Sequence, residues 1–438
     1  MSKRFAWLLG LVGLIAVGLL VACGTTYNSS SDGLVLTSSQ GSALMETFSF
    51  SLANGNIAAV ENSPPDTSFS VCVLPGIPSS IVLDPAGAYA YVILTANSAC
   101  SGSKTGIASF KVNSDGTLSS VGSLTPDPSP VVLAMDSAGK FLFVAEGLNS
   151  IPAAPNSKPC PGTTAQYGVC TYAIGSGGSL TAVKGTFNFM LPTGFQTPNF
   201  IALEPTPTVL PGNGINGVQN SVCSDPGNSA PTAEYLYVAD SVNSVVWEFG
   251  VDTSSGALTS PVSSSAVPNF PAGTVPSGVA VDPCARFVYV SNMTSNNISA
   301  YTICNGLPTQ SSDCKNLPEP WALAPVTGSP FSLGSTSNGP GPVLVDPFGN
   351  NLYVLDTLSS QVSPFHISSV SGSLTAGTSV ATGIQPTAMA IRGDDNWLFV
   401  ANFQSATLSQ YSITPSGGAL SPLPAVTTDN NPWGVAVK

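Results

Sequence analysis

The chain has 438 residues, of which only 8% are charged, while Gly (43) and Pro (38) are abundant. Dense turn formers with so few charges exclude long amphipathic helices and leave an all-β composition. A net charge of -12 argues against nucleic acid, because no Lys/Arg surplus exists to displace phosphate counterions.

In chain order, Lys3 and Arg4 form a positive n-region, Trp7 to Val21 an apolar h-region, and Ala22-Cys23-Gly24 a small-residue cleavage site. Together they read as an export signal over residues 1–22 that does not belong to the fold. Leu20-Val21-Ala22-Cys23 resembles the bacterial lipobox. That resemblance implies cleavage before Cys23, a lipid on its thiol, and attachment to a membrane by the lipid alone, without a spanning helix. Gly24 after the cysteine points to the outer membrane, facing periplasm or exterior, and residues 23–32 serve as a lipidated polar tether.

From residue 33 onward the sequence repeats itself, and an internal repeat outranks a domain count from length. The clearest copy runs from Pro276 to Cys304: an apolar run (Gly278 to Val281), an Asp282-Pro283 turn, a strand (Phe287 to Val290), a polar loop and another strand (Ile298 to Ile303). The acidic slot at Asp282 recurs at Asp84, Asp136, Glu204 and Asp346, with Arg392 in the last copy. The shortest spacing, Asp346 to Arg392, fits a four-stranded blade of ~40–50 residues. Longer spacings contain insertions at Ile151 to Gln166, Thr206 to Thr232 and Cys304 to Pro320. A Gly-containing hairpin and a weaker fourth strand close most copies, as at Gly116, Gly256, Gly372 and Gly418.

Residues 33 to 65 supply three strands without an opening one, whereas Pro432 to Val437 match Pro276 to Val281 and then the chain stops. A ring in which the tail completes the first blade explains both and removes open edges. The expectation is a seven-bladed β-propeller over 33–438: a split blade (33–65 plus 432–438), then blades opening near Pro78, Pro130, Pro198, Pro276, Pro340 and Pro386. On one rim, the upper, lie the blade-to-blade links and the second-to-third loops.

Apart from Cys23, eight of the nine cysteines remain, an even number in an exported chain, so disulfides are expected. Rim positions in a propeller pair Cys72 with Cys100, Cys160 with Cys170, Cys223 with Cys284, and Cys304 with Cys314. His366 is the single histidine and no CxxC occurs, so no metal site is expected.

The acidic first ring precedes Pro or Ser and a turn glycine, where a carboxylate caps turn amides. A second ring ends each second strand on the upper rim: Glu146, Asp240, Asn292, Asp356 and Asn402, with Leu94 in the blade 2 slot. Each caps the strand-to-loop turn, which is the favoured reading; converging acids there also suit a general base or a ligand site.

The recurring P-x-x-[IV]-A-[VL]-D-P-x-G pattern, followed by [YF]-V-x-[ND] and S-N-x-[IV]-S, resembles the seven-bladed propeller lactonase family, which includes propeller-type 6-phosphogluconolactonases. The resemblance covers residues 33 to 438 and implies the fold more strongly than the activity. Lactone hydrolysis needs a base and a group that stabilises the oxyanion. The candidate bases are Glu146, Asp240 and Asp356; Asn292, Asn402, Lys104 and Lys158 are candidate ligand contacts. Arg286 and Arg392 fall in lower-rim turns, so the arginine forks that suit a sugar phosphate are missing, which departs from the family pattern. His366 reads as a packed or surface histidine. Trp397 and Trp433 occupy strand positions that are apolar elsewhere and read as core.

The expected work is therefore non-catalytic: a monomeric binding or scaffold surface for a protein, glycan or small molecule at the upper rim. A lactonase acting on an uncharged lactone is the second reading. No cofactor is expected, and a haem-bearing propeller is disfavoured because C-x-x-C-H is lacking.

Overall fold

A computed structural model describes residues 32–60, 77–96, 103–127, 129–147, 168–183, 198–203, 234–259, 268–304, 314, 322–334, 338–415 and 417–438. The expected signal peptide and nearly all of the expected tether lie outside them. The described chain forms seven antiparallel sheets, each with four strands running inner, second, third and outer.

Blade 1 is the split one. Its second strand Asp32–Ser39 pairs on one side with Leu44–Ser51 and on the other with the C-terminal Pro432–Val437. The register, Val35 opposite Val437 and Thr37 opposite Val435, makes the tail the inner strand that residues 33 to 65 lack. Blades 2 to 7 open with inner strands Ile77–Leu83, Pro130–Met135, Pro198–Leu203, Pro276–Val281, Pro340–Val345 and Pro386–Ile391. Each inner strand touches those of both neighbouring blades, and blade 7 touches blade 1, so the circle is shut. The fold is the seven-bladed propeller that the repeats predict.

The second strands are buried almost without a break because both faces of a blade are covered by neighbouring blades. Tyr91, Phe143, Tyr237, Tyr289, Tyr353 and Phe399 share one position in six of them and are 0% exposed. Where an oxygen crosses to the next blade it is used: Tyr289 OH donates to Gly372 O and Tyr353 OH to Gly418 O, both at 3.0 Å. These acceptors sit in the third-to-outer hairpins, where Gly372 and Gly418 have φ near +70°. A Cβ there would meet Phe287 or Asn351 of the preceding blade at 2.4 and 2.3 Å, so these glycines serve both turn and close approach. Between blades 7 and 1, Phe50 packs on Trp397 and Phe399 at centroid distances of 5.9 and 4.8 Å.

The lower-rim turns follow the predicted chemistry. Asp84 and Asp136 each accept two turn amides through Oδ1, and Asp282 and Asp346 do the same for their turns. Outer strands are two or three residues long in blades 1 to 6 and eight in blade 7, and in blades 2, 4, 5 and 6 a separate two- or three-residue strand continues along the third strand. Short edges with Pro126, Pro271 and Pro325 in them resist pairing with another sheet.

Cys304 and Cys314 form the expected bond, with Cα atoms 5.5 Å apart. Cys170 and Cys284 are also disulfide-bonded. Cys23, Cys72, Cys100, Cys160 and Cys223 lie outside the described residues, as do Lys158, Glu204 and Trp321. One expectation fails: Trp397 is core at 8% exposure, but Trp433 is 39% exposed. The equivalent positions carry Ser79, Val131, Ser277, Gly341 and Thr387, and Trp433 falls at a bulge on the upper rim between the paired Pro432 and Gly434.

Candidate functional site

Six of the seven inner strands open with a proline that faces the residue ending the second strand, and in blade 2 the proline, Pro78, comes second and faces the last but one, Leu94. The pairs are Pro432–Ser39, Pro78–Leu94, Pro130–Glu146, Pro198–Asp240, Pro276–Asn292, Pro340–Asp356 and Pro386–Asn402. Just beyond each proline the register slips. Proline has no N–H to give the ladder, and a bulge re-aims the next side chain. The upper end of the channel is thus ringed by seven bulges. Ser39, in the slot of blade 1, was missed by sequence reading because TSSQ carries no Asx marker.

The second ring is not a set of open carboxylates. Glu146, Asp240, Asn292, Asp356 and Asn402 are all 0% exposed. Each of the last four caps its own second-to-third loop by bonding back to the third strand. Asn292 Nδ2 donates to Asn297 Oδ1 and Ser299 Oγ, and Asn402 Nδ2 to Thr407 Oγ1 and Ser409 Oγ. Asp356 Oδ2 accepts Gln361 Nε2 and Ser363 Oγ; Asp240 accepts the amides of Val242 and Asn243, Asn243 Nδ2 and Trp247 Nε1. The partner is always seven residues on, because a tight loop brings that position of the third strand under the cap. Three candidate bases thus stand in three separate blades, each turned inward.

Glu146 has different company. Its Oε2 accepts Ser129 Oγ at 3.0 Å, and beside it lies Asp127, 1% exposed, whose Oδ2 accepts Tyr172 OH at 2.6 Å. Burial, then the charge of Asp127, pushes the Glu146 carboxyl well above its usual range, and burial also raises Asp127. Two buried carboxylates this close disfavour double ionisation, so burial and their mutual repulsion push the pair toward the protonated side. Asp127 stands in the link between blades 2 and 3, outside the repeat, which is why no pattern marked it. Cys170 Sγ lies within 4.8 Å of both carboxylates, but it is tied in a disulfide and offers no thiolate to a metal.

The bulge residues themselves are neutral: Ser79, Val131, Ser277, Gly341, Thr387 and Trp433 among those whose side chains are described. Several hydroxyls are spent on stapling blade to blade. Ser277 Oγ donates to Pro340 O (2.5 Å), Thr387 Oγ1 to Pro432 O (3.2 Å) and Ser38 Oγ to Ser79 O (2.6 Å). Close approach at this ring is why Gly434 has no side chain, since a Cβ would lie 2.5 Å from Ser79 O.

The upper rim carries most of the exposed large apolar side chains, among exposed polar ones such as Gln385, Gln404 and Asn430. Of the seven exposed large hydrophobics among the described residues, six lie there: Val131, Val242, Met293, Leu358, Ile384 and Trp433. Val370, on a lower hairpin, is the exception. Lys104 is exposed in a blade 2 upper loop. Arg286 and Arg392 are held on the lower rim, by Asp282 and Asp394. His366 is exposed on a third strand, in keeping with a surface histidine.

Residues 227–313 and 322–437 match the family described as Lactonase, 7-bladed beta-propeller. No curated protein matches the sequence significantly. Among solved structures, the periplasmic gluconolactonase PpgL of Pseudomonas aeruginosa superposes with a TM-score of 0.64 at 16% identity, over 93% of this chain and 98% of that one. A candidate 6-phosphogluconolactonase of Bacteroides fragilis gives 0.62 at 15% identity, over 94% and 100%. A Lactobacillus plantarum protein gives 0.60 at 14%, over 93% and 99%. Identities this low speak for the fold alone. Fold and repeat make this chain a seven-bladed propeller, and its residues 227–313 and 322–437 resemble the Lactonase family.

Proposed function

We propose that this propeller is an extracytoplasmic binding protein whose working surface is the upper rim, and that it does not turn over sugar phosphates. The observation that carries this reading is the channel mouth: its bulge residues are hydroxyl, small or apolar, and the nearby carboxylates are buried and engaged in local bonds. A general base must reach solvent or substrate, and an oxyanion needs a donor aimed at it. Among the described residues, neither arginine is on that rim. The Cys304–Cys314 bond favours an oxidising compartment, as does a lipid anchor at Cys23.

The family match favours a second reading, hydrolysis of an uncharged lactone with Glu146, Asp240 or Asp356 as base. A pH-stat assay of the purified protein separates the two, using glucono-δ-lactone, 6-phosphogluconolactone and γ-butyrolactone as substrates. The binding reading expects ring opening no faster than buffer. Turnover abolished by Asp240→Asn or Glu146→Gln, in variants that stay folded, would replace it with the hydrolase.

A further inference from the structure

The geometry points to a saccharide subsite at the upper mouth between blades 7 and 1, with the Trp433 indole as stacking platform and Gln385, Gln404 and Asn430 as its polar rim. It rests on the upper-rim binding reading and names the ligand class, an uncharged glycan.

Packing does not explain a tryptophan at this position. The other described bulges manage with Ser79, Val131, Ser277, Gly341 and Thr387, and the buried tryptophans Trp247 and Trp397 are 5% and 8% exposed against 39% for Trp433. Where Ser277 and Thr387 use their hydroxyls to staple the next blade, Trp433 puts a large flat apolar surface into solvent. The ring is held in place: Phe403, from the second-to-third loop of blade 7, meets it edge-on at 5.7 Å and 85°. An edge contact fixes the indole while leaving a face open.

The segments around it are equally fixed. Phe403 N donates to Gln385 O, Gln404 N to Ile384 O, Gln40 N to Asn431 O and Gly41 N to Asn430 O. Asn431 Nδ2 donates to Phe403 O, tying the two loops together. On this frame Gln385, Gln404 and Asn430 are exposed. An amide offers both donors and an acceptor, which matches sugar hydroxyls that also do both. The C–H faces of a pyranose are apolar and flat, and suit an indole. Pinned loops keep the entropy cost of binding low.

Charge sets the class. Among the described residues Arg286 and Arg392 are engaged on the lower rim, and Lys438 lies at the lower end of the same inner strand as Trp433. Lys104 is on the upper rim but in blade 2, so among the described residues a phosphorylated or carboxylated ligand would find no cation on the upper rim of blades 7 and 1, whereas a neutral one needs none.

The test uses isothermal titration of the folded mature protein with cellohexaose, chitohexaose and laminarihexaose. Saturable binding of at least one is expected, unchanged by 0.5 M NaCl. Trp433→Ala should weaken it about tenfold and Gln404→Ala less, while Trp433→Phe retains most of it. If none of the three binds, or if Trp433→Ala binds as the parent does, the saccharide assignment is overturned. A protein ligand lost on Leu358→Asp but kept in Trp433→Ala would overturn that assignment alone and leave the broader binding reading intact. Lactone turnover would overturn the broader reading.

Discussion

The two rims of this propeller use the same residue types for one purpose and differ in what is left over. On the lower rim, Asp84, Asp136, Asp282 and Asp346 each hold a tight turn through its amides. On the upper rim, Asp240, Asn292, Asp356 and Asn402 each hold a loop through the third strand. In both rings these side chains are engaged in local structural bonds. The difference is that the lower rim keeps its cations, with Arg286 bridging Asp282 to Gly349 O and Ser369 O, while the upper rim exposes Leu358, Ile384 and Trp433. A polar ring around a channel is therefore a poor guide to chemistry until its hydrogen bonds have been traced. What a surface can bind is set by the groups that the fold leaves unused.

The largest effect should come from breaking the ring that makes the two rims possible. Deleting 432–438 removes the inner strand of blade 1 and exposes Leu34 and Leu36, both 0% exposed. The expected result is loss of a cooperative unfolding transition by calorimetry; a truncated chain that unfolds as the parent does would refute closure by the tail.

Next is the lower rim itself. Asp282→Ala strips two turn amides and the Arg286 guanidinium of their acceptor. Removing one partner of a largely buried pair costs about 3–5 kcal/mol, read as a shift in the urea midpoint. On the upper rim Asn402→Ala loses the cap to Thr407 and Ser409 and should cost about 1–2 kcal/mol in the same measurement. If the upper substitution costs as much as the lower, the proposed inequality between the rims is wrong.

The pH dependence comes from carboxyls buried inside the blades. Glu248, 1% exposed, is pushed up to about 8 by burial, from an ordinary 4.5. The folded protein then holds a proton that the unfolded chain has lost. Its stability contribution is full below about pH 4.5 and fades as pH rises to about 8, by a few kcal/mol. Unfolding midpoints measured between pH 4.5 and 8.5 should fall, and Glu248→Gln should flatten that slope. The Asp127–Glu146 pair shifts in the same direction, so the slope persists in part. Smallest of all, Tyr289→Phe removes only the bond to Gly372 O and should cost about 1 kcal/mol.

Much of the architecture was legible because repetition averages out ambiguity. One Pro-x-Gly-Val-Ala-Val strand is weak evidence, but its recurrence from Pro276 to Pro432 counts the blades, and the orphan copy at the end tells how they close. The turn role of Asp282 was legible for a local reason, since its partners are two and four residues away. The second ring was found at the right positions and its capping of the strand-to-loop turn was legible too, but its third-strand partners were not, because the bonds of Asp240 run to Trp247 across a loop that only pairing brings together.

Composition and repeat spacing alone determined an all-β ring of seven blades, its splice point, the turn carboxylates and the Cys304–Cys314 bond. These are short-range or periodic properties, written in neighbours along the chain. Only the tertiary structure decided that Glu146 meets Asp127, that the rim carboxylates face inward, and that Trp433 stands in solvent rather than in the core. Each of these depends on which blade lies beside which and where a strand bulges, and neither is encoded in any single stretch of sequence.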